Sequence, residues 1–262
     1  MKISYLVTIK NETNTFFNLM EMLLSHIDKE DEIVILDDFS DNAFTKDAVE
    51  EFLARDERVS HHLHALEKDY GGHKNYGNSI CKGDFIFQID GDELPSELLL
   101  INIKDIILNN NEVELFWVPR LNNFLGVTLD DAKRWGWSLT ESKTLTTTRE
   151  IPLNSNEYVF LKNNNLIIDE NTSESDIEVT YKIPMVMWPD YQSRIYKNDS
   201  RIKWSGKLHE KVSGENKFAL IPAEEEISLQ HIKTIQKQTE TNIKYNTQFS
   251  EEENRGHSRY QA

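Results

Sequence analysis

The chain has one cysteine, Cys81, in 262 residues. It can form no internal disulfide, and a reducing compartment, the cytoplasm, is the expected setting. No apolar run approaches the roughly 18 residues that a membrane span needs. The N-terminal stretch MKISYLVTIKNETNT has too short an apolar segment for a signal peptide, so a protein without a membrane span is expected. Positive charge is also scarce: 29 Lys plus Arg stand against 45 Asp plus Glu, a formal net charge of −16. Such a chain repels a phosphate backbone, which makes nucleic acid a poor partner. Neither a P-loop nor a dinucleotide fingerprint occurs, so Gly71-Gly72 reads as a flexible loop. There is no internal repeat.

What is present is ample core material: 38% hydrophobic residues, with five Trp, nine Tyr and twelve Phe. The first hundred residues alternate strand and helix signals. Ile3 to Ile9 and Glu32 to Leu36 read as buried strands, each followed by a helix, the second spanning Ala43 to Ala54. A helix over His73 to Lys82 leads into the strongest strand, Asp84 to Asp90. A further helix, Glu97 to Leu108, and a strand, Val113 to Val118, follow. Repeated β-α units predict a mostly parallel α/β sheet flanked by helices, with ligands at the carboxyl ends of its strands. After Pro119 the regularity fades. The pattern predicts an irregular insertion, a solvated loop over the acidic run 169–176, strands at 181–188, 192–196 and 227–232, and a polar C-terminal helix and tail over 236–262. His61, His62 and His64 resemble a metal cluster, but their weak strand makes a solvated edge the better reading.

Three acidic clusters fall at predicted strand ends: Asn11-Glu12, Asp37-Asp38 and Asp90-Gly91-Asp92-Glu93. Taken singly, an Asp after a strand is a turn former or a cap. Parallel topology brings all three to one edge, where mutual repulsion is costly unless cations or donors intervene. Asp90 and Asp92, separated by a glycine, can offer oxygens to one hard divalent ion that also binds a diphosphate, as in a sugar nucleotide. The ion neutralises the leaving diphosphate as a Lewis acid, with Lys74 as a candidate helper. His231, at the end of the last predicted strand, could add an imidazole ligand suited to manganese.

The succession ILDDFSDN (35–42), GGHKNYGNSICKGDFIFQIDGDE (71–93) and IKWSGKLHEKV (202–212) resembles family 2 glycosyltransferases of the GT-A (Rossmann-like) fold. The resemblance covers residues 1–95 well and says little about 96–180. It implies that Thr8, Asn11 and Glu12 line the nucleotide pocket and that Asp37 or Asp38 hydrogen-bonds the base. Lys74 would stand near the diphosphate. Asp90 would face the ribose or metal, and Asp92 would coordinate Mn2+ or Mg2+. Trp204-x-Gly-x-x-His209-Glu210 looks like a late element of a family subset. Glu210 is then the first choice for the base that deprotonates an acceptor hydroxyl, Asp190 the second, and His209 serves the diphosphate or orients Glu210. The frequent Glu-Asp base motif is missing near 185–195. No Gln-x-x-Arg-Trp element occurs, which argues against a processive membrane synthase.

The leading expectation is an inverting, metal-dependent transferase. It would move one sugar from a nucleoside-diphosphate donor, UDP-type first, to a hydroxyl of a carbohydrate or glycoconjugate. A single domain is expected, with a nucleotide-sugar half over 1–118, an acceptor half over 119–235 and a C-terminal helix and tail. Trp135 and Trp137 could stack on a sugar or simply pack. Alternatives are a non-catalytic sugar- or nucleotide-binding module and a sugar-nucleotide pyrophosphorylase. A glycoside hydrolase ranks below both.

Overall fold

The computed structural model describes residues 1–163, 166–172 and 176–254. In chain order the first half comprises β1 (Ile3–Ile9), α1 (Asn14–His26), β2 (Glu32–Asp37), α2 (Ala43–Arg55), β3 (Val59–Leu63), α3 (Tyr70–Ile80) and β4 (Phe85–Asp90). After these come β5 (Glu93–Pro95), α4 (Glu97–Asn109), β6 (Leu115–Val118), β7 (Arg120–Leu125) and α5 (Leu129–Trp135). An arm follows: β8 (Leu139–Pro152), α6 (Asn156–Asn163), β9 (Ile167–Thr172) and β10 (Asp176–Val186). The chain closes with β11 (Gln192–Lys197), β12 (Lys203–Ser205), β13 (Lys211–Ser213), β14 (Phe218–Leu220), β15 (Leu229–Thr234) and α7 (Ile235–Gln248).

The main sheet has the order β14-β6-β11-β4-β1-β2-β3. Strands β1 to β4 are parallel, and β11 enters antiparallel between β4 and β6. Strand parity sends Ile3, Tyr5, Val7 and Ile9 of β1 against Phe16, Leu19, Met20 and Leu23 of α1. Helix α4 joins this layer through Leu99, Ile103 and Ile107. On the other face Leu6, Leu36 and Ile86 meet Tyr196, Trp204 and Val212. Cys81 is buried there, and burial pushes its thiol up to about 12, which suits a core residue. A second sheet, β5-β15-β7-β10-β8, begins where the chain turns at Gly91 and again at Pro119. The expected α/β architecture with a mostly parallel sheet is therefore present.

Helix α3 starts earlier than its periodicity predicts, because the Asp69 side chain accepts from Gly72 N and caps it. Gly71-Gly72 is thus a first helical turn and not a flexible loop. A Cβ at position 71 would stand 2.6 Å from Gly206 O. Two of the three clustered histidines are engaged: His61 Nε2 in β3 faces Asp37 Oδ2 at 3.1 Å, and His64, just beyond β3, stacks on Tyr76.

The predicted irregularity of 120–180 is corrected. Strands β8 and β10 pair antiparallel from Leu139↔Val186 to Asp176↔Pro152, and β9 adds to the outer edge. Asp169, Glu170 and Asn171 lie in that edge strand, while 164–165 and 173–175 fall outside the described residues. The arm has its own small core, in which Tyr158 and Leu161 meet Ile151, Ile177, Val179 and Tyr181. Its alternating Thr/charged outer face hid this from the sequence, because long runs such as TLTTTREI carry few apolar markers.

Gly77 shows how tightly α3 seats on the sheet: an added Cβ would lie 2.7 Å from Leu6 Cδ2 and 3.1 Å from Leu36 Cδ2. Overpacking costs about 1–3 kcal/mol, whereas the helix-propensity gain of alanine is at most about 1 kcal/mol. Gly77→Ala should therefore lower unfolding stability in a urea titration. An unchanged or raised midpoint would show that α3 can shift outward freely.

Candidate active site

One cavity of about 800 Å3 opens at the carboxyl ends of β1, β2 and β4. On its first side stand Thr8, Lys10, Glu12, Asp38, Leu66, Tyr70 and His73. Lys10 donates to the backbone oxygens of Asp38 and Phe39, and Asp38 accepts from Leu66 N at 3.0 Å. Of the two aspartates expected near a base, only Asp38 lines the cavity. Asp37 is buried in the turn, where Oδ1 accepts from Ser40 N and Oγ, each at 2.7 Å. Asn11 also differs from expectation. It sits at φ +55° and its amide clasps Asp41 and Asn42, which ties β1 to the start of α2 and keeps it off the cavity wall.

The Asp90-Gly91-Asp92-Glu93 turn carries the densest charge. A side chain at Gly91 would meet Glu12 Cγ at 2.8 Å and Thr8 O at 3.1 Å, so only glycine lets the turn close on β1. Asp90 accepts from Thr8 Oγ1 at 2.9 Å, Gln88 Nε2 at 2.8 Å and Arg194 Nη2 at 2.6 Å, with Lys74 Nζ at 3.3 Å. Burial opposes its ionisation, yet Arg194 and Lys74 outweigh it and hold the carboxyl well below the usual range. Arg194 also binds Glu93 Oε1 at 2.6 Å, and Arg120 Nη1 reaches the same oxygen at 2.9 Å. Arg120 continues to Asp190 Oδ2, which Asn122 Nδ2 also binds at 3.0 Å. At the other end Lys74 Nζ meets Glu210 Oε1 at 2.7 Å. Burial would raise the Glu210 carboxyl, but Lys74 outweighs it and keeps the group ionised.

The loop that presents Glu210 is shaped by close approach to α3. Asn75 and Trp204 exchange two hydrogen bonds, at 2.8 and 2.9 Å, and Tyr70 N donates to Lys207 O. Gly206 at φ +98° and His209 at φ +52° make the turn. His209 faces Asn254 Oδ1 at 3.2 Å and lines the cavity beside Glu210.

Asp92 and His231 meet on the far wall, with His231 Nε2 3.3 Å from Asp92 Oδ2. His231 Nδ1 lies 2.7 Å from Asn122 Oδ1. The Asn122 amide nitrogen is used by Asp190, so its oxygen accepts from Nδ1–H and the neutral ring turns a lone pair on Nε2 towards Asp92. Burial favours that neutral ring, while Asp92 pulls the other way. Two electron-rich atoms at this distance suit a shared cation, and an imidazole with a carboxylate is a donor set for manganese. The Asp90 oxygens are already bonded as described, and no ready-made cluster of three or more His, Cys, Asp or Glu occurs among the described residues. Lys233 Nζ lies 3.7 Å from Asp92.

Trp135 and Trp137 also line the cavity, stacked 6.1 Å apart at 23° across the left-handed cap Gly136. They are neighbours across a helix end. Sequence reasoning passed over Arg120, Arg194 and Lys233, and gave Glu93 no role beyond membership of the acidic cluster. The signal for Arg194 is a charged residue inside a strand whose remaining positions read as buried.

The family model of glycosyl transferase family 2 matches residues 4–159. No curated protein matches the chain. Among solved structures, the mannosyltransferase PcManGT from Pyrobaculum calidifontis, in complex with GDP-Man and Mn2+, is 15% identical over 45% of this chain and 35% of that one, TM-score 0.40. S. aureus TarS 1-349 in complex with UDP-GlcNAc is 18% identical over 88% of this chain and 58% of that one, TM-score 0.46. S. aureus TarS is 16% identical over 96% of this chain and 41% of that one, TM-score 0.47. The chain spans 35% of the first of these structures and 58% and 41% of the other two.

Two predictions follow from the charges. Arg194→Met strands Asp90 and Glu93 without their shared cation, and removal of one partner from a buried pair costs about 3–5 kcal/mol. Urea unfolding at pH 7 should show this loss, and the deficit should shrink as pH falls and the Asp90 carboxyl protonates. Glu12 behaves in the opposite sense: burial, then Asp92, push its carboxyl up to about 7, with Lys237 pulling it down. Native Glu12 therefore holds its proton after the unfolded group, near 4.3, has lost it. Its contribution is full below that value and is lost as pH rises through 7. In the ligand-free protein Glu12→Gln should raise stability at pH 7.5, by on the order of 3 kcal/mol, and change it little at pH 4. An equal effect at both values would refute the raised carboxyl.

Proposed function

Because the chain belongs to glycosyl transferase family 2, we propose that it is a glycosyltransferase that moves a single sugar from a nucleoside-diphosphate donor to a hydroxyl of a carbohydrate or glycoconjugate acceptor, with inversion. One observation carries the reading: the family-like segments around 8–12, 38, 70–74, 90–92 and 204–210 converge on one cavity. Thr8, Glu12, Asp38 and Lys74 support the nucleotide side. Asp92 and His231 would hold a divalent ion, Mn2+ or Mg2+, with Asp90 beside them. When bound, that ion neutralises the diphosphate as a Lewis acid.

The chain's own residues do the rest. Lys74 and Lys233 bring positive charge to the donor side of the cavity. Glu210, kept ionised by Lys74, accepts the proton of the acceptor hydroxyl as its oxygen attacks the anomeric carbon and the diphosphate departs from the opposite face. Asp190 is the second candidate base. Arg120, Asn122 and Gln192 engage both of its oxygens, which supports a positioning role for it more than proton transfer. The stacked Trp135 and Trp137 offer an apolar ring face on the acceptor side. No helix among the described residues is long and apolar enough to cross a membrane. We place the activity in the cytoplasm, within a single domain whose halves meet near residue 118.

A thermal-shift panel of UDP, GDP, dTDP and CDP, with and without manganese, tests the reading, because a ligand of the folded state raises the melting temperature. One nucleotide should stabilise the protein only with the metal. Stabilisation by none would end the transferase proposal. Asp92→Ala should remove the metal-dependent shift and the activity while leaving the unliganded melting temperature close to that of the parent. Glu210→Gln should cut kcat by about 10² to 10⁴ with little change in donor KM. A larger loss in Asp190→Asn than in Glu210→Gln would reassign the base.

A further inference from the structure

Helix α7 is built the wrong way round for a helix that packs on a core. The positions that turn inward, Gln238, Thr241, Asn242, Tyr245 and Phe249, follow helical spacing and are half-buried, but the first three are polar. Ile243, the aliphatic residue of the middle turn, faces solvent at 55% exposure, and no residue of the helix is fully buried. The helix is held at its ends. Ile235 packs with Phe124 and Val186, while Tyr245 and Phe249 meet Tyr70 with ring centroids 6.2 and 6.4 Å apart.

Between those anchors the inward stripe faces the cavity, with Lys237, Gln238, Thr241, Asn242, Lys244 and Tyr245 all on its wall. The two lysines are seven residues apart, on the same side of the helix. Lys237 Nζ stands 3.8 Å from Glu12 Oε2, at the Asp92 end of the cavity. Tyr245 lies at the Tyr70 and His209 end. The helix therefore spans the distance between the candidate ion site and the nucleotide side. An amide-and-hydroxyl stripe turned inward, with lysines at both ends, matches a ligand with hydroxyls along its length and negative charge to neutralise. In a chain of net charge −16, such lysines are the groups that can draw in a phosphate.

We propose that the inward face of α7 is part of the donor site, with Lys237 and Lys244 contacting the diphosphate and Gln238, Thr241 and Asn242 the hydroxyls beside it. The inference rests on the transferase reading and assigns a further binding surface to the same cavity. The C-terminal helix is then a wall that the donor needs, and not a polar appendage.

The test uses the full chain with manganese and the four nucleoside diphosphates named above. Calorimetry first identifies which of them the parent protein binds. For that nucleotide, the double variant Lys237→Ala with Lys244→Ala should weaken binding about tenfold, the scale of a lost charge-assisted contact, and should weaken the matching monophosphate much less. Both lysines are exposed, so the unliganded melting temperature should match the parent. In a second measurement, limited trypsin cleavage of the parent at Lys237 and Lys244 should slow several-fold when the nucleotide is added, while cleavage at Lys133 in α5 stays the same. Parent-like affinity in the double variant together with unprotected cleavage would overturn the assignment of α7 and leave the transferase reading standing. If the parent binds none of the four nucleotides, both readings fall.

Discussion

Repulsion among carboxylates is the constraint on which this structure turns. Asp90, Glu93, Asp190 and Glu210 crowd one sheet edge, and they coexist because Lys74, Arg194 and Arg120 are threaded between them. The order is strictly alternating: Glu210, Lys74, Asp90, Arg194, Glu93, Arg120, Asp190. Each cation arrives on a different element: Lys74 on α3, Arg194 on β11 and Arg120 on β7. Arg194 serves both Asp90 and Glu93 through Nη2 and uses Nη1 for the Gln88 side-chain oxygen, so one guanidinium fixes three partners. Closing the sheet with an antiparallel β11 and neutralising the site are consequently one event. The two candidate bases stand at opposite ends of the same chain of charges, so neither can be altered in electrostatic isolation.

The first hundred residues were legible because their elements follow simple rules. β1 and β2 are apolar runs, α1 and α2 keep helical spacing, and the acidic residues after the strands fall where parallel topology sends them. The Asp90-Gly91-Asp92 turn, Lys74 and Glu210 were named as candidates from sequence, and all of them line the cavity; a carboxylate beside a glycine at a strand end is visible locally. Asn11 and Asp37 lie off the cavity wall because their side chains satisfy backbone donors in turns, a choice between turn chemistry and ligand contact that residue type alone does not decide. Arg120 and Arg194 were missed because their importance lies in carboxylate partners 27 to 104 positions distant. The β8–β10 arm was hidden for a different reason. An edge ribbon covered on one face needs few apolar residues, and a Thr-rich strand resembles a loop.

The late Trp204 to Glu210 segment and α3 form one unit. Asn75 and Trp204 clasp each other, Gly71 makes room for the Gly206 carbonyl, and Lys74 lies 4.6 Å over the Trp204 ring while it binds Glu210. Residues some 130 positions apart are thus tied together, and the position of the Glu210 carboxylate is inherited from how α3 sits on β1 and β2.

Gly91 has a consequence for how such a site can diversify. With the Glu12 and Ile9 side chains and the Thr8 carbonyl pressed against the place where its side chain would be, the centre of the acidic turn accepts a substitution only if those neighbours move. The opposite wall is not bound in this way: His231 and Lys233 of β15 reach Asp92 from a different sheet. The molecule thereby separates a part that must stay fixed from a part that can be retuned, and new selectivity can arise on β15 without reopening the problem of how the turn closes.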